Sequence, residues 1–506
     1  MATAIAKRNC PSLARGVSTL GMQSGYTSSQ SGFTLLSELS DSDLDWFFSA
    51  GKRERHVPQT VIVKEGCEGE FIYFVIEGLL GVHTASLGER EIARLGPGQI
   101  FGEMSFLEDR PASATVKTLE ESYLLAIRRE DLEAKLGADS ALAARLFKSL
   151  AITSARRLRE TMGTLSRWME VEDRLPVDAA VLQRWRVIAE KTQAFKELIV
   201  KADKAAPEQA GEAAARLKAE LPLYCEFMNA AIGEKSPETV SDREELGARI
   251  QRELTPYFLK SQTVESLYRK PRGYSGDFAT LGRFLENKPA GSGRIGPVLD
   301  EAFLRLPVSE AIRSRRRMLS EAIVATTRAS SHAAKVTALG SSPSEELLDA
   351  FAQMDSPEKL RATIVDFDAS ALVLGASRRD ELGLAAQIDL VATNLFDLAT
   401  GHDDSGVRDQ DLVYALNFTD SFGSRLLRRF LNFTHRMLRP GGRVVLASFY
   451  SGNPEKAFMD YVADWKIAHR SESEINQQFA QSAYGRECSG IRFDPNRRLF
   501  LAECVK

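Results

Sequence analysis

Cysteine is scarce in this chain. The five cysteines, at positions 10, 67, 225, 488 and 504, form no CxxC pair, and the six histidines do not gather around them. Such spacing indicates neither a disulfide framework nor a zinc site. An excess of one charge is also lacking: 66 basic residues stand against 69 acidic ones, for a net charge of −3. That balance argues against general affinity for nucleic acid, though not against a local basic patch. No apolar run approaches the length that spans a bilayer, so no transmembrane segment is expected. Residues 1–32 carry positive charges without the continuous apolar core of a secretory signal. They are rich in Ser and Gly and read as a flexible tail. A cytoplasmic location is the simplest expectation, and no metal is indicated.

What the chain does have is length. Its 506 residues are too many for one hydrophobic core, and two to four domains are expected. Over residues 33–138, short β-branched and aromatic runs are broken by Gly66, Gly69 and Gly78, the pattern of strands joined by turns. Residues 139–170 carry apolar side chains at helical spacing, with Asp139 and Ser140 as candidate caps.

The stretch 101–116, "FGEMSFLEDRPASATV", together with its surroundings over residues 33–165, resembles a cyclic-nucleotide-binding domain, a β-roll. In that family a glycine turn, a carboxylate for a ribose hydroxyl and an arginine for the cyclic phosphate surround one ligand. Glycine permits close backbone approach, and the helix after it presents N–H groups to an anion. Phe101, Gly102 and Glu103 fit this pattern, while the arginine position falls on Ala112 and Arg110 lies two residues early. The resemblance implies Gly102, Glu103, Arg110 and Ser113 as residues for a nucleotide-like ligand, and a long helix that dimerises, hence a homodimer. A cyclic nucleotide is one reading; a roll kept for dimerisation or another ligand, with Glu103 merely capping, is the other.

Residues 171–330 are rich in Ala, Glu, Lys, Arg and Leu at helical spacing, with "KADKAAPEQAG" as an inter-helix loop. The Gly- and Pro-containing segment "YRKPRGYSGDFATL" interrupts them, bringing Arg272, Tyr274 and Asp277 close together. Spacing alone leaves two readings open, a substrate clamp or a connecting loop in which Arg272 pairs with Asp277. In "LPVSEAIRSRRRML", Arg313, Arg315, Arg316 and Arg317 cannot share one helix face. One or two of them are candidates to meet an anionic ligand.

Residues 331–506 alternate strands and helices, the pattern of a doubly wound, Rossmann-like parallel sheet with ligands at the strand C-termini. The order resembles a class I S-adenosylmethionine-dependent methyltransferase. "KPRGYSGDF", "LPVSEAIRSRR", "ALGSSPSEE" and "DWKIAHRSESEI" narrow the likeness to bacterial 3-hydroxypalmitic acid methyl ester biosynthesis proteins. The resemblance implies S-adenosylmethionine as cofactor, held by Gly340, Ser342, Asp366 and Asn394. It implies a small or fatty-acid-like carboxylate as acceptor, with Arg272 and Tyr274 as its clamp and Asp277 orienting them. Ser342 stands where the family commonly has a second glycine, and Glu345 where it has a basic residue. In "NFTDSF", Asn417, Thr419 and Asp420 are substrate candidates, or Thr419 and Asp420 cap the next helix. The architecture expected is therefore multidomain, α+β and α/β. Two other functions compete: a ligand-sensing or scaffold protein with decayed sites, and a helix-turn-helix regulator, which the acidic balance disfavours.

Overall fold

The structure is a computed structural model and describes residues 39–85, 90–168, 179–272, 276–341, 343–393, 398, 406–416 and 418–506. Its first helix, Asp41–Ala50, starts at a reciprocal cap. The Ser40 hydroxyl accepts the Asp43 N–H, and the Asp43 carboxylate accepts the Ser40 N–H.

Eight strands then form the roll: β1 (Lys52–His56), β2 (Val61–Val63), β3 (Phe71–Glu77), β4 (Leu80–Thr84), β5 (Arg90–Leu95), β6 (Ile100–Phe101), β7 (Thr115–Thr118) and β8 (Ser122–Arg128). They pair as two four-stranded sheets, β1-β8-β3-β6 and β2-β7-β4-β5. Strand alternation sorts β3 by face. Tyr73 and Val75 pack inside the roll with Leu80, Val116 and Leu124. Ile72, Phe74 and Ile76 pack outside it, against Phe47 of the first helix and Leu146 of the helix Ser140–Trp168. Asp139 opens that long helix by accepting the Leu142 N–H at 2.9 Å.

A helical region follows, with helices Ala179–Lys204, Pro207–Ile232, Val240–Phe258, Gln262–Arg269, Phe278–Glu286 and Ile295–Leu304. The "KADKAAPEQAG" loop shrinks to Ala205 and Ala206. Pro207 at the first helical position has no N–H to lose and a ring already set for helix, so the next helix begins at once.

The last part is one sheet of eight strands: β9 (Ala334–Leu339), β10 (Leu360–Asp366), β11 (Ile388–Ala392), β12 (Gln410–Ala415), β13 (Leu438–Tyr450), β14 (His469–Arg470), β15 (Gly490–Phe493) and β16 (Leu499–Val505). The main order is β11-β10-β9-β12-β13-β16-β15, and β14 pairs with β13. Strands β9 to β13 run parallel, whereas β16 is antiparallel to both β13 and β15. The "RPGG" turn does not precede β13 but bulges within it. The register jumps from Gln410↔Leu438 to Leu412↔Arg443, and Gly441 there takes φ +78°.

Both faces of this sheet are covered, which explains its nearly continuous apolar strands. Val336, Ala338, Ile364 and Leu412 pack under Met318, Leu319 and Ile323 of the helix Pro307–Ala329. Leu339, Val413, Leu446 and Phe500 pack against Phe430 and Leu431 of the helix Ser424–Met437. The second cluster is continuous with the outer face of the roll, so the two parts share buried apolar surface.

Candidate functional sites

The roll places its cassette where a backbone turn demands glycine. Gly102 has φ +84°, and a Cβ there would come within 2.7 Å of the Phe71 carbonyl oxygen. It opens the short helix Glu103–Glu108. Glu103 is buried, and its carboxylate is ion-paired with Arg157 of the long helix, which also donates to the Ile100 carbonyl at 2.5 Å. The cation beside Glu103 is thus Arg157, 54 residues further along the chain. Arg110 does not compensate for Ala112: it is exposed, with Glu108 at 3.7 Å. Ala112 is buried and fixed by two backbone bonds, its N–H to the Cys67 carbonyl and its carbonyl to the Gly66 N–H, each 2.8 Å. Ser113 reaches only the Met104 sulfur, at 3.8 Å.

Arg272 joins the roll to the parallel sheet. Its Nε and Nη2 donate to the two oxygens of Asp368 at 3.1 and 3.0 Å, and its Nη1 donates to Glu120 at 2.7 Å. Asp368 is buried and also accepts the N–H groups of Ser370 and Ala371, starting the helix Ala369–Glu381. Glu120 belongs to the turn between β7 and β8. A cleft of about 170 Å³ lies here, lined by Glu77, Glu120, Tyr123, Arg272, Phe367 and Asp368. It falls below the several hundred Å³ of a drug-sized ligand site. Burial pushes Glu77 up to about 7, and the carboxylates of Asp368, Glu121 and Asp366 add to the rise against Arg55.

Asp277 is engaged elsewhere. Its carboxylate accepts the Thr280 N–H and hydroxyl, both at 2.9 Å, and so caps the helix Phe278–Glu286. Burial raises it to about 6 despite those bonds. No ion pair forms between Asp277 and Arg272, so the connecting-loop reading of that pair gives way to a link between Arg272 and two distant carboxylates. Tyr274, Ser342, Asn394 and Asn417 lie outside the described residues.

At the C-terminal edge of the sheet, Gly340 follows β9 with φ +63° and donates its N–H to the Val365 carbonyl at 2.9 Å. Asp366 ends β10, buried, accepting the Asp368 N–H at 3.0 Å. These two positions bring a bare-backbone turn and a carboxylate to the mouth of neighbouring parallel strands, as a ribose-bearing ligand of an open sheet requires. Beside them Tyr414 donates its hydroxyl to Glu346 at 2.9 Å, and the hydroxyls of Ser341 and Ser344 lie 2.9 Å apart. Glu345 pairs with Arg316 at 3.5 Å and with Arg378 at 3.9 Å. Thr419 and Asp420 cap no helix. They sit in a short 3-10 turn, and Gly423 precedes the helix Ser424–Met437.

The fold is thus that of a mixed α/β protein, a β-roll joined through helices to a largely parallel sheet. Residues 53–139 match the family model of the cyclic nucleotide-binding domain, so the chain carries such a domain there. The cyclic AMP receptor protein of Thermus thermophilus is 35% identical over 131 residues, 26% of this chain and 59% of that protein. A cyclic nucleotide-gated potassium channel of Mesorhizobium japonicum is 36% identical over 101 residues, 20% of this chain and 27% of that protein. The chain spans less than two thirds of either. Among solved structures, a possible exported protein from Bordetella parapertussis aligns over 60% of this chain and 99% of its own, at 18% identity and a TM-score of 0.41. The regulatory domain of Toxoplasma gondii PKA with cAMP aligns over 20% and 39%, at 29% identity and a TM-score of 0.19.

Among the described residues no helix is long and apolar enough to cross a membrane, and no cluster of His, Cys, Asp and Glu could hold a metal ion. Among the contacts that sequence reasoning missed are Arg157 to Glu103 and Arg272 to Asp368 and Glu120. Each spans more than 50 residues, and no local pattern announces it.

Proposed function

We propose that the chain is an S-adenosylmethionine-dependent methyltransferase whose roll is a regulatory domain. The acceptor is a small or lipid-like acid, such as a hydroxy fatty acid converted to its methyl ester. One observation carries this reading: the sheet order. Numbered from β9, the strands lie 3-2-1-4-5 and then an antiparallel hairpin, with β16 inserted between β13 and β15. A plain dinucleotide-binding sheet continues parallel instead. The order 3-2-1-4-5 puts Gly340 and Asp366, at the ends of the adjacent strands β9 and β10, on the ligand-binding edge of a doubly wound sheet, where the resemblance to class I methyltransferases implies the cofactor.

The residues present fit the cofactor. Gly340 takes a left-handed conformation that leaves the backbone bare, and Asp366 offers a buried carboxylate beside it for ribose hydroxyls. When bound, S-adenosylmethionine supplies an activated methyl group. The chain's own task is then positional. A fatty-acid carboxylate is already ionised at neutral pH, so no general base is needed. Holding the acceptor oxygen in line is worth a large effective molarity.

Calorimetric titration of the full chain with S-adenosylmethionine and S-adenosylhomocysteine tests the proposal. Micromolar binding that falls at least tenfold in Asp366→Ala supports it. A folded protein that binds neither would sink it.

A second reading, a ligand-sensing or scaffold protein without catalysis, draws on the roll. There Arg157 already satisfies Glu103 and Ala112 stands at the arginine position. Under that reading neither cyclic nucleotide nor S-adenosylmethionine binds, and the same titrations decide between the two.

A further inference from the structure

Three of the four clustered arginines have partners that explain them. Arg313 donates to the carbonyls of Phe284 and Leu304, Arg316 grips Asp349 through two bonds of 2.6 and 2.7 Å, and Arg317 reaches the Ser314 hydroxyl at 3.4 Å. Arg315 is different. Its side chain belongs to a residue only 5% exposed, and among the described residues it makes no hydrogen bond and no ion pair within 4 Å. A guanidinium cannot shed its charge under these conditions, so isolated burial is among the costliest arrangements a fold can hold.

Its place is at the C-terminal edge of the sheet. The helix Pro307–Ala329 leads back into β9 through a short connection and packs along it. Fourteen helical residues from Ala329 back to Arg315 cover about 21 Å. Seven extended residues from Ala334 to Ser341 cover about 23 Å. Arg315 therefore lies level with Ser341, beside the Gly340 turn. There it faces the carboxylates of Asp420 and Glu346 without closing a contact to either.

Two further groups at this spot are unsatisfied. Thr419 Oγ1 and Asp420 Oδ1 are buried, and neither has a hydrogen-bond partner among the described residues. Arg470 stands 4.0 Å from Asp420 and donates to the Thr419 and Phe422 carbonyls at 2.9 and 2.6 Å. Burial lifts Asp420 to about 7, so near neutrality it does not hold its full charge, and burial raises Glu346 as well. Two buried guanidinium groups then face less than two negative charges, and the local field favours an anion.

We propose that Arg315 is the receptor for a ligand carboxylate at the edge of the sheet, with the Thr419 hydroxyl donating a further hydrogen bond to the bound group. The planar fork of arginine matches a carboxylate through two parallel bonds. This rests on the methyltransferase reading for the ligand's identity. The carboxylate is the amino-acid end of the cofactor or the acid head of the acceptor. In the second case Arg315, not Arg272, supplies the cation of the clamp, since Arg272 is committed to Asp368 and Glu120.

The test uses the full chain and three probes: S-adenosylmethionine, its decarboxylated analogue, and 3-hydroxydecanoate. Wild type is compared with Arg315→Met, which keeps the apolar stem and removes the charge, and with Arg315→Lys, which keeps the charge and removes the fork. Removing one partner of a buried, hydrogen-bonded charge pair should weaken one carboxylate probe about thirtyfold or more. The decarboxylated analogue should change by no more than about twofold, with Lys falling between. Loss on S-adenosylmethionine assigns the carboxylate to the cofactor; loss on 3-hydroxydecanoate assigns it to the acceptor. Without ligand, Arg315→Met should melt higher than wild type, because a buried charge without a partner is gone.

Equal affinity of wild type and Arg315→Met for both carboxylates overturns the proposal, as does a lower melting temperature of the ligand-free variant. Arg315-dependent binding of 3-hydroxydecanoate with no binding of S-adenosylmethionine keeps the site and removes the methyltransferase reading. Normal S-adenosylmethionine binding that ignores Arg315, with 3-hydroxydecanoate equally indifferent, does the reverse. Wild type that binds neither carboxylate overturns both.

Discussion

Arg272→Met should loosen the roll from the sheet, and the structure sets the size of the effect. The Arg272–Asp368 contact is bidentate, at 3.1 and 3.0 Å, and the Asp368 side chain is only 2% exposed. Removing one partner of a fully buried pair costs about 3–5 kcal/mol. Here Arg272 is a quarter exposed and Asp368 keeps the Ser370 and Ala371 N–H donors, so we expect less than that, about 2–3 kcal/mol. The Glu120 contact joins two partners 25% and 28% exposed, and such a pair contributes at most about 1 kcal/mol. Hydrogen exchange of the β7–β8 amides reads the opening free energy at this junction. Double-mutant cycles with Asp368→Asn and Glu120→Gln then separate the two couplings. The coupling to Asp368 should exceed that to Glu120 by at least about 1 kcal/mol. Equal or reversed couplings would refute the view of Arg272 as a strut anchored on the sheet. If Asp366 holds the cofactor, Arg272→Met should also weaken S-adenosylmethionine, because Asp366 accepts the N–H of the residue that Arg272 fixes.

Two other outcomes are expected. Burial holds Glu77 near 7 against an ordinary 4.5, so its folded form keeps a proton that the unfolded chain has lost. The stability tied to that proton is full below about 4.5 and disappears as pH rises through about 7. Glu77→Gln should therefore match wild type in melting temperature near pH 5 and exceed it near pH 8.5; a constant difference would contradict the assignment. In the roll, Ala112→Arg combined with Arg157→Ala restores an arginine to the cassette and releases Glu103. Calorimetry should then show cyclic AMP binding about thirtyfold tighter than in wild type. Unchanged affinity would mean that the roll is shaped for another ligand.

Arg315 shows how much of a site a sequence can disclose. At helical spacing it lines up with Val308, Ala311, Ile312 and Leu319, all buried, so its place on the apolar stripe of the helix is legible from periodicity alone. Its neighbours Arg313, Arg316 and Arg317 fall off that stripe and find ordinary partners. What periodicity cannot say is which groups face Arg315, since Asp420 and Glu346 arrive from other elements. The hairpin of β15 and β16 is not legible either, because "LFLAECV" is apolar on both faces and lacks alternation.

The glycine turns at Gly102 and Gly340, and the alternation of strands and helices behind the parallel sheet, can be read from the residues alone. These rest on local properties: steric freedom at one residue, and hydrophobic period along one element. The partners of the charged side chains emerge only once the chain is packed. Arg157 went to Glu103, Arg272 to Asp368 and Glu120, Asp277 to its own helix, and Arg315 to none among the described residues. A guanidinium reaches several ångströms in any direction, and the carboxylate it meets is set by chain packing rather than by its place in the chain.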